Sequence, residues 1–299
     1  MIWIRSSASA TVSVGDKWPS LMPGLFVLLW GSGFIGAKYG LPYCEPFTFL
    51  LVRFLIVTVM LLMVVLITKA PWPRGWRQIL HIAIAGLLIH ATYLGGVFNS
   101  LYWGVPAGVS ALIVSIQPLL TAVLAGPFLG EKLTLRQWAG FLLGIGGVAL
   151  VVYRKLDFHG GDLTGLIYSI IALLGITGGT LFQKKYCSGM DLRTGTTIQY
   201  GATALAMLVI APLTEQMVIH WTGEFVFALT WLTLVLSLGA VFLLFLLIRR
   251  GEAARVVSLF YLVPPVTALM AYLFFRERLG PLALVGMGVA AAGVALVHK

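Results

Sequence analysis

The sequence predicts an all-α polytopic membrane protein in which ten transmembrane helices form two inverted five-helix repeats. Three observations carry that expectation. Of 299 residues, 60% are hydrophobic and only 10% are charged, with a mean hydropathy of +0.99, whereas soluble domains are about 25% charged. The chain also matches itself at a fixed offset: Pro264 follows Pro118 by 146 residues, and at that spacing Thr121-Ala122 falls on Thr267-Ala268, Glu131 on Glu277 and Leu133 on Leu279. Gly147-Val-Ala-Leu-Val151 likewise repeats as Gly293-Val-Ala-Leu-Val297, and Lys38 and Phe54 meet Lys184 and Tyr200, so the whole unit is duplicated. Finally, the basic residues switch sides between the halves.

Crossing about 30 Å of hydrocarbon takes about 20 apolar residues at 1.5 Å each. Charged and Gly/Pro-rich stretches separate ten such spans, at 21–39, 46–68, 77–101, 107–128, 135–153, 163–183, 194–213, 227–248, 253–275 and 280–297. Five crossings per unit oblige the second copy to enter from the opposite side. In the first half Lys69, Arg74, Arg77, Lys132 and Arg136 follow the second and fourth spans, while the first and third are followed only by Lys38. In the second half Lys184, Lys185, Arg193, Arg249, Arg250 and Arg255 follow the sixth and eighth spans, the counterparts of the first and third. Retention of Lys and Arg in the cytoplasm then gives both halves one topology with both termini inside. Arg154-Lys155, Arg276 and Arg278 are exceptions, each near an acidic residue. The expected organisation is a cytoplasmic tail at 1–20, a first repeat at 21–153 and an inverted second repeat at 162–297.

A net charge of +10 does not indicate nucleic acid, because the basic residues flank apolar spans and do not form a binding face. Cys44 and Cys187 fall on opposite sides, which excludes a disulfide between them, and have no metal-ligand spacing. No removable signal peptide, metal or cofactor is expected. The partners are the lipid bilayer and a small-molecule substrate, with the chain acting as a monomer.

Inverted repeats suit secondary transport, because related halves of opposite orientation exchange roles between outward-open and inward-open states. The substrate site is then expected near the midplane between the repeats. Pro118, Pro264 and Pro265 are expected to interrupt the fourth and ninth spans, with a packing kink as the alternative. Trp30-Gly-Ser-Gly-Phe34 places small residues beside aromatics in the first span, and Lys38 either snorkels or attracts a carboxylate. His90 lies mid-span, as an interhelical hydrogen-bonding group or a proton relay. Tyr93, Asn99, Gln117, Thr180, Gln183, Ser258 and Tyr261 supply neutral polar groups suited to a partly apolar zwitterion. All 10 acidic residues map to span ends or loops, so proton coupling through a buried carboxylate is not expected. Gly140, Gly144, Gly286 and Gly293 form small faces for helix packing or oligomerisation.

Trp30-Gly-Ser-Gly-Phe34, Gly130-Glu-Lys-Leu-Thr134 with Gly140 and Gly144-Ile-Gly-Gly-Val148, and Arg276-Glu-Arg-Leu-Gly280 with Gly286 and Gly293 together resemble the drug/metabolite transporter superfamily, specifically its EamA-type exporters. The resemblance covers residues 21–297. It implies a bacterial inner-membrane exporter, and similarity to the aromatic amino acid exporters of the family implies aromatic and neutral amino acids as cargo. It also implies a central cavity lined by the first, third, fourth, sixth, eighth and ninth spans, pointing to Trp30, Lys38, Tyr93, Phe98, Asn99, Gln117, Thr180, Gln183, Phe242, Ser258 and Tyr261. The motifs are shared by exporters of threonine, cysteine metabolites and purines, so they specify family and not cargo. An integral membrane enzyme is the rival class, but no paired carboxylates, HExxH or Ser/His/Asp set is present. A channel remains the nearer alternative, without a charged ring or carbonyl filter.

Overall fold

The computed structural model describes residues 18–129, 134–153, 160–240, 243, 260–277 and 280–297. In the first repeat, α1 (Trp18–Gly40), α2 (Pro46–Thr68), α3 (Trp76–Gly86), α4 (Tyr93–Tyr102), α5 (Ala107–Val114), α6 (Gln117–Leu129) and α7 (Leu135–Tyr153) account for the five expected spans. A π-helical segment, Leu87–Thr92, joins α3 to α4 in one continuous rod. In the second repeat, α8 (Gly160–Tyr186), α9 (Leu192–Thr214), α10 (Gly223–Thr230), α11 (Val263–Phe275) and α12 (Pro281–Val297) follow in the same order. A second π-helical segment, Trp231–Ala240, continues α10. Among the described residues, six helices are long and apolar enough to cross a bilayer, and the shorter apolar helices fall in the fourth, fifth, ninth and tenth expected spans.

Two departures from the expected spans have local causes. The eighth span begins earlier, at Gly223, because Thr222 Oγ1 accepts the Phe225 N–H at 3.2 Å as an N-cap. The fourth span is broken at Ser115–Ile116, so Pro118 is not an interior kink but the second residue of α6. Pro264 has the equivalent place in α11, directly after the 3-10 turn Phe260–Leu262, with Pro265 beside it. In the first turn of a helix a missing N–H forfeits no intrahelical bond, so these prolines start half-helices.

The inversion is visible in how equivalent helices meet. α2 and α9, second helices of their repeats, pack side by side in opposite directions. Glu215, just after α9, accepts the Phe47 and Thr48 N–H groups and the Thr48 hydroxyl, each at 2.7 Å, at the start of α2. Reciprocally, Glu45 accepts the Gln216 N–H at 2.8 Å and the Met217 N–H at 3.2 Å. At the other end Thr194 Oγ1, at the start of α9, donates to Pro71 O at 2.9 Å, beyond the end of α2. Asp191 caps α9, and its hydrogen bonds from Arg193 hold its carboxyl below the usual range.

The fifth helices, α7 and α12, are also antiparallel, and here glycines set the separation. A Cβ at Gly147 would lie 2.5 Å from Gly286 O and from Ala290 N, and one at Gly293 would lie 2.6 Å from Gly140 O and 2.7 Å from Gly144 N. The small faces of Gly140, Gly144, Gly286 and Gly293 are thus used within the chain. Cys44 and Cys187 are both free and buried. Burial, reinforced by the charges of Glu215 and Glu45, pushes the Cys44 thiol up to about 12, and burial raises that of Cys187.

Three outcomes are expected. Gly147→Val lowers stability by roughly 1–3 kcal/mol through overpacking, read as a lower melting temperature in detergent. Gly146→Ala, where a Cβ meets nothing within 4 Å, leaves it unchanged. At pH 7 neither cysteine reacts with a maleimide in the folded protein, and both react once it is unfolded.

Candidate functional site in a cavity between the repeats

The first and third helices of each repeat cross those of the other. Gly33 and Gly179, one repeat apart, create this crossing. A Cβ at Gly33 would lie 2.5 Å from Leu236 Cδ2, and one at Gly179 would lie 2.5 Å from Ile89 Cγ1. In each case a glycine of a first helix admits the π-helical segment of a third helix. Ser32 fixes the first contact by accepting the Trp231 indole N–H at 2.9 Å while donating to Leu29 O at 2.7 Å.

Between these crossings lies a cavity of about 130 Å³. Its aromatic walls are Trp30 and Phe34 of α1, Tyr93 and Phe98 of α4, and Tyr200 of α9, with His90 from the first π segment. Ile89, Leu94, Val97, Ile176 and Leu236 complete the apolar lining, and Gly33, Arg53 and Ser237 face it as well. At 1.5 Å per residue, Trp30 stands about 20 Å in from Tyr43, Tyr200 about 21 Å in from Thr214 and Arg53 about 10 Å in from Pro46, all ends at one face. The cavity therefore occupies the central depth of the bundle. Trp30 is braced by Phe26 and Phe260, with ring centroids at 5.4 and 5.1 Å. The His90 ring stacks on Tyr200 at 4.2 Å and 17°, with Phe54 packed against both.

Of the residues expected from sequence, the structure brings Trp30, His90, Tyr93 and Phe98 to this cavity. Asn99, next to Phe98, is buried with its amide donating to Gly95 O at 2.9 Å. Gln117 and Thr180 meet elsewhere, with Gln117 Nε2 at 3.4 Å from Thr180 Oγ1 and 3.2 Å from Thr121 Oγ1. Gln183 accepts from Gln199 Nε2 at 2.8 Å. Lys38 is not among the residues lining this cavity: its ammonium pairs with Glu277 and sits 5.3 Å over the Phe275 ring. Glu277 also accepts the Ala107 N–H at 3.2 Å, so one carboxylate ties together the end of α1, the start of α5 and the end of α11. Tyr261 lies in the turn before α11, and Phe242 and Ser258 lie outside the described residues.

Sequence reasoning missed Arg53. It is the only charged residue inside the 23-residue helix α2, a signal that was available. Its side chain is 3% exposed, and Nη2 donates to Ser237 Oγ at 3.1 Å. Nε has no hydrogen-bond partner. The site thus offers aromatic walls, one buried cationic fork and few other polar groups.

Two antiparallel five-helix units enclosing a cavity at mid-depth form the framework of a membrane carrier. Residues 20–153 and 163–298 each match the EamA-like transporter family, and the chain belongs to it. It is 30% identical over 285 residues to a probable terminal-alkyne amino-acid exporter of Streptantibioticus cattleyicolor, covering 92% of this chain and 91% of that protein. The transporter YvbV of Bacillus subtilis is 27% identical over 283 residues, with 93% and 91% covered. A probable amino-acid metabolite efflux pump of Escherichia coli is 26% identical over 275 residues, with 88% of each covered. A solved crystal structure with a TM-score of 0.64 and 17% identity, covering 93% of this chain and 96% of its own, shares the fold. The protein is a multi-pass membrane transporter of small molecules and not an enzyme.

Proposed function

We propose that the protein exports neutral amino acids, aromatic ones among them, across the bacterial inner membrane by alternating access without ion coupling, with both termini cytoplasmic. The observation that carries this reading is the aromatic-walled cavity built from both repeats at the point where they cross. The amino-acid exporters among its relatives support the substrate class. Among the described residues, Glu45, Asp191, Glu215, Glu224 and Glu277 all lie at helix ends. Among the described residues no carboxylate lines the cavity to carry a proton.

Alternating access follows from the inversion. Lys38–Glu277 fastens three helix ends at one face. One repeat away, Lys184 corresponds to Lys38 and Glu131 to Glu277, and the inversion assigns them to the opposite face. Opening of the first face therefore requires Lys38 and Glu277 to separate. With the termini inside, Lys38–Glu277 is the external latch.

The test is counterflow of labelled phenylalanine and tryptophan into liposomes preloaded with unlabelled amino acid, without any ion gradient. Saturable accumulation is expected, and Trp30→Ala reduces it at least about tenfold, or ~1.4 kcal/mol. His90→Phe, which retains a ring to stack on Tyr200, preserves it. Accumulation only under an imposed pH gradient, lost in His90→Phe, overturns the uncoupled mechanism. Lys38→Gln and Glu277→Gln each slow counterflow about tenfold, whereas the exchanged pair Lys38→Glu with Glu277→Lys restores it in part.

A further inference from the structure

We propose that Arg53 is the seat of the substrate's carboxylate, so that the transporter selects molecules joining a free carboxylate to an apolar or aromatic body. The inference deepens the export reading above and rests on it for the direction of transport, but not for binding. Arg53 stands among Leu50, Leu51, Val52, Phe54, Leu55 and Ile56. An arginine within an apolar helix is costly, by about 2.5–3.5 kcal/mol where it reaches the helix centre on insertion scales, and Arg53 is eight residues into the 23-residue α2. Arginines near a helix end escape this by snorkelling to the interface. Arg53 does not: its side chain is buried and faces the cavity.

The electrostatics of this placement are incomplete without a ligand. A buried guanidinium is ordinarily matched by a carboxylate, yet no carboxylate among the described residues pairs with Arg53. Four of the described carboxylates are committed elsewhere: Glu45 to Gln216 and Met217, Glu215 to Phe47 and Thr48, Glu277 to Lys38 and Ala107, and Asp191 to Arg193. The other polar groups lining the cavity are His90, Tyr93, Tyr200 and Ser237, none of them a carboxylate.

What the structure does supply is orientation. Ser237 sits in the second π segment, and its hydroxyl donates to Leu232 O at 3.1 Å, five residues earlier. Its proton is thereby committed, and its lone pair accepts from Arg53 Nη2. One of the five donors of the guanidinium is used to aim it, while the planar fork remains able to hold a carboxylate in two parallel bonds. The rings of Trp30, Phe34 and Tyr93 stand in the same lining to receive the rest of the molecule. A desolvated charge that must be satisfied by the ligand discriminates more sharply than an apolar wall, because a ligand without the carboxylate leaves it unpaired.

The test measures equilibrium binding to the purified protein by calorimetry, alongside counterflow. The ligands are L-phenylalanine, L-phenylalaninamide, 2-phenylethylamine and 3-phenylpropionate. The amino acid and 3-phenylpropionate are expected to bind, with the amide and the amine at least about tenfold weaker. Arg53→Gln removes that difference, Arg53→Lys restores part of it, and Ser237→Ala weakens carboxylate binding by a smaller factor. Equal affinity of the native protein for phenylalanine and its amide overturns the assignment, as does Arg53→Gln binding phenylalanine unchanged. If Arg53→Gln does not fold, as judged by its melting curve, the ligand series on the native protein decides alone. Arg53-dependent binding of 3-phenylpropionate without counterflow of any amino acid sinks the amino-acid export reading and leaves the carboxylate seat standing. Counterflow of phenylalanine and its amide at equal rates does the reverse.

Discussion

Close approach of antiparallel helices at repeat-related glycines is the constraint on which the rest of the structure depends. In hydrocarbon the hydrophobic effect does not drive helices together, so association relies on dispersion and on backbone proximity that small residues permit. Gly147 faces Gly286 and Ala290, while Gly293 faces Gly140 and Gly144, a reciprocal arrangement in which each repeat supplies what the other receives. Gly33 and Gly179 do the same for the first helices against the third. Because each contact exists twice with opposite orientation, the two halves have near-equivalent surfaces to move across. The cavity lies between them.

The π-helical segments show how backbone irregularity is accommodated at that depth. Leu87–Thr92 and Trp231–Ala240 overlap when shifted by one repeat. In the first, Thr92 Oγ1 donates to Leu87 O at 3.1 Å, and in the second, Ser237 Oγ donates to Leu232 O at 3.1 Å. Each hydroxyl reaches the carbonyl five residues back, satisfying a group that the regular helical ladder would leave to other partners. Irregular backbone is tolerated within a membrane where it borders a cavity, and both segments do so through His90 and Ser237. The same repeat logic governs the fourth helices, where Pro118 and Pro264 each open a half-helix.

The fold was largely legible because its signals are local or periodic. Apolar length gave the helices, the self-match gave the duplication, and an odd number of crossings gave the inversion. Of the residues lining the candidate cavity, Trp30, His90, Tyr93 and Phe98 were legible as aromatic or polar groups deep in a span. Gln117, Thr180, Gln183 and Asn99 share that pattern but are consumed by partners on other helices or by their own backbone, which sequence spacing does not reveal. Arg53 escaped notice for a different reason. Reading every Lys and Arg as a signal of orientation treats basic residues as loop features, and the hydropathy of α2 absorbs a single charge. Asking what one arginine does eight residues into an apolar helix would have found it.

The distribution of charge then separates two tasks within one fold. Acidic groups at the helix ends serve capping and latching, where partial access to water lowers the desolvation penalty and backbone N–H groups share the charge. Glu277 is the clearest case, since it binds Lys38 and the start of α5 at once. Inside the bundle the balance is reversed: among the described residues the Arg53 guanidinium is held by a single hydroxyl, beside aromatic rings. In the proposed transport cycle the Lys38–Glu277 pair opens and closes at its face, while the buried guanidinium awaits its counterion from the substrate. A transporter arranged in this way needs no titratable carboxylate in its cavity, because the cargo supplies the negative charge that completes the site.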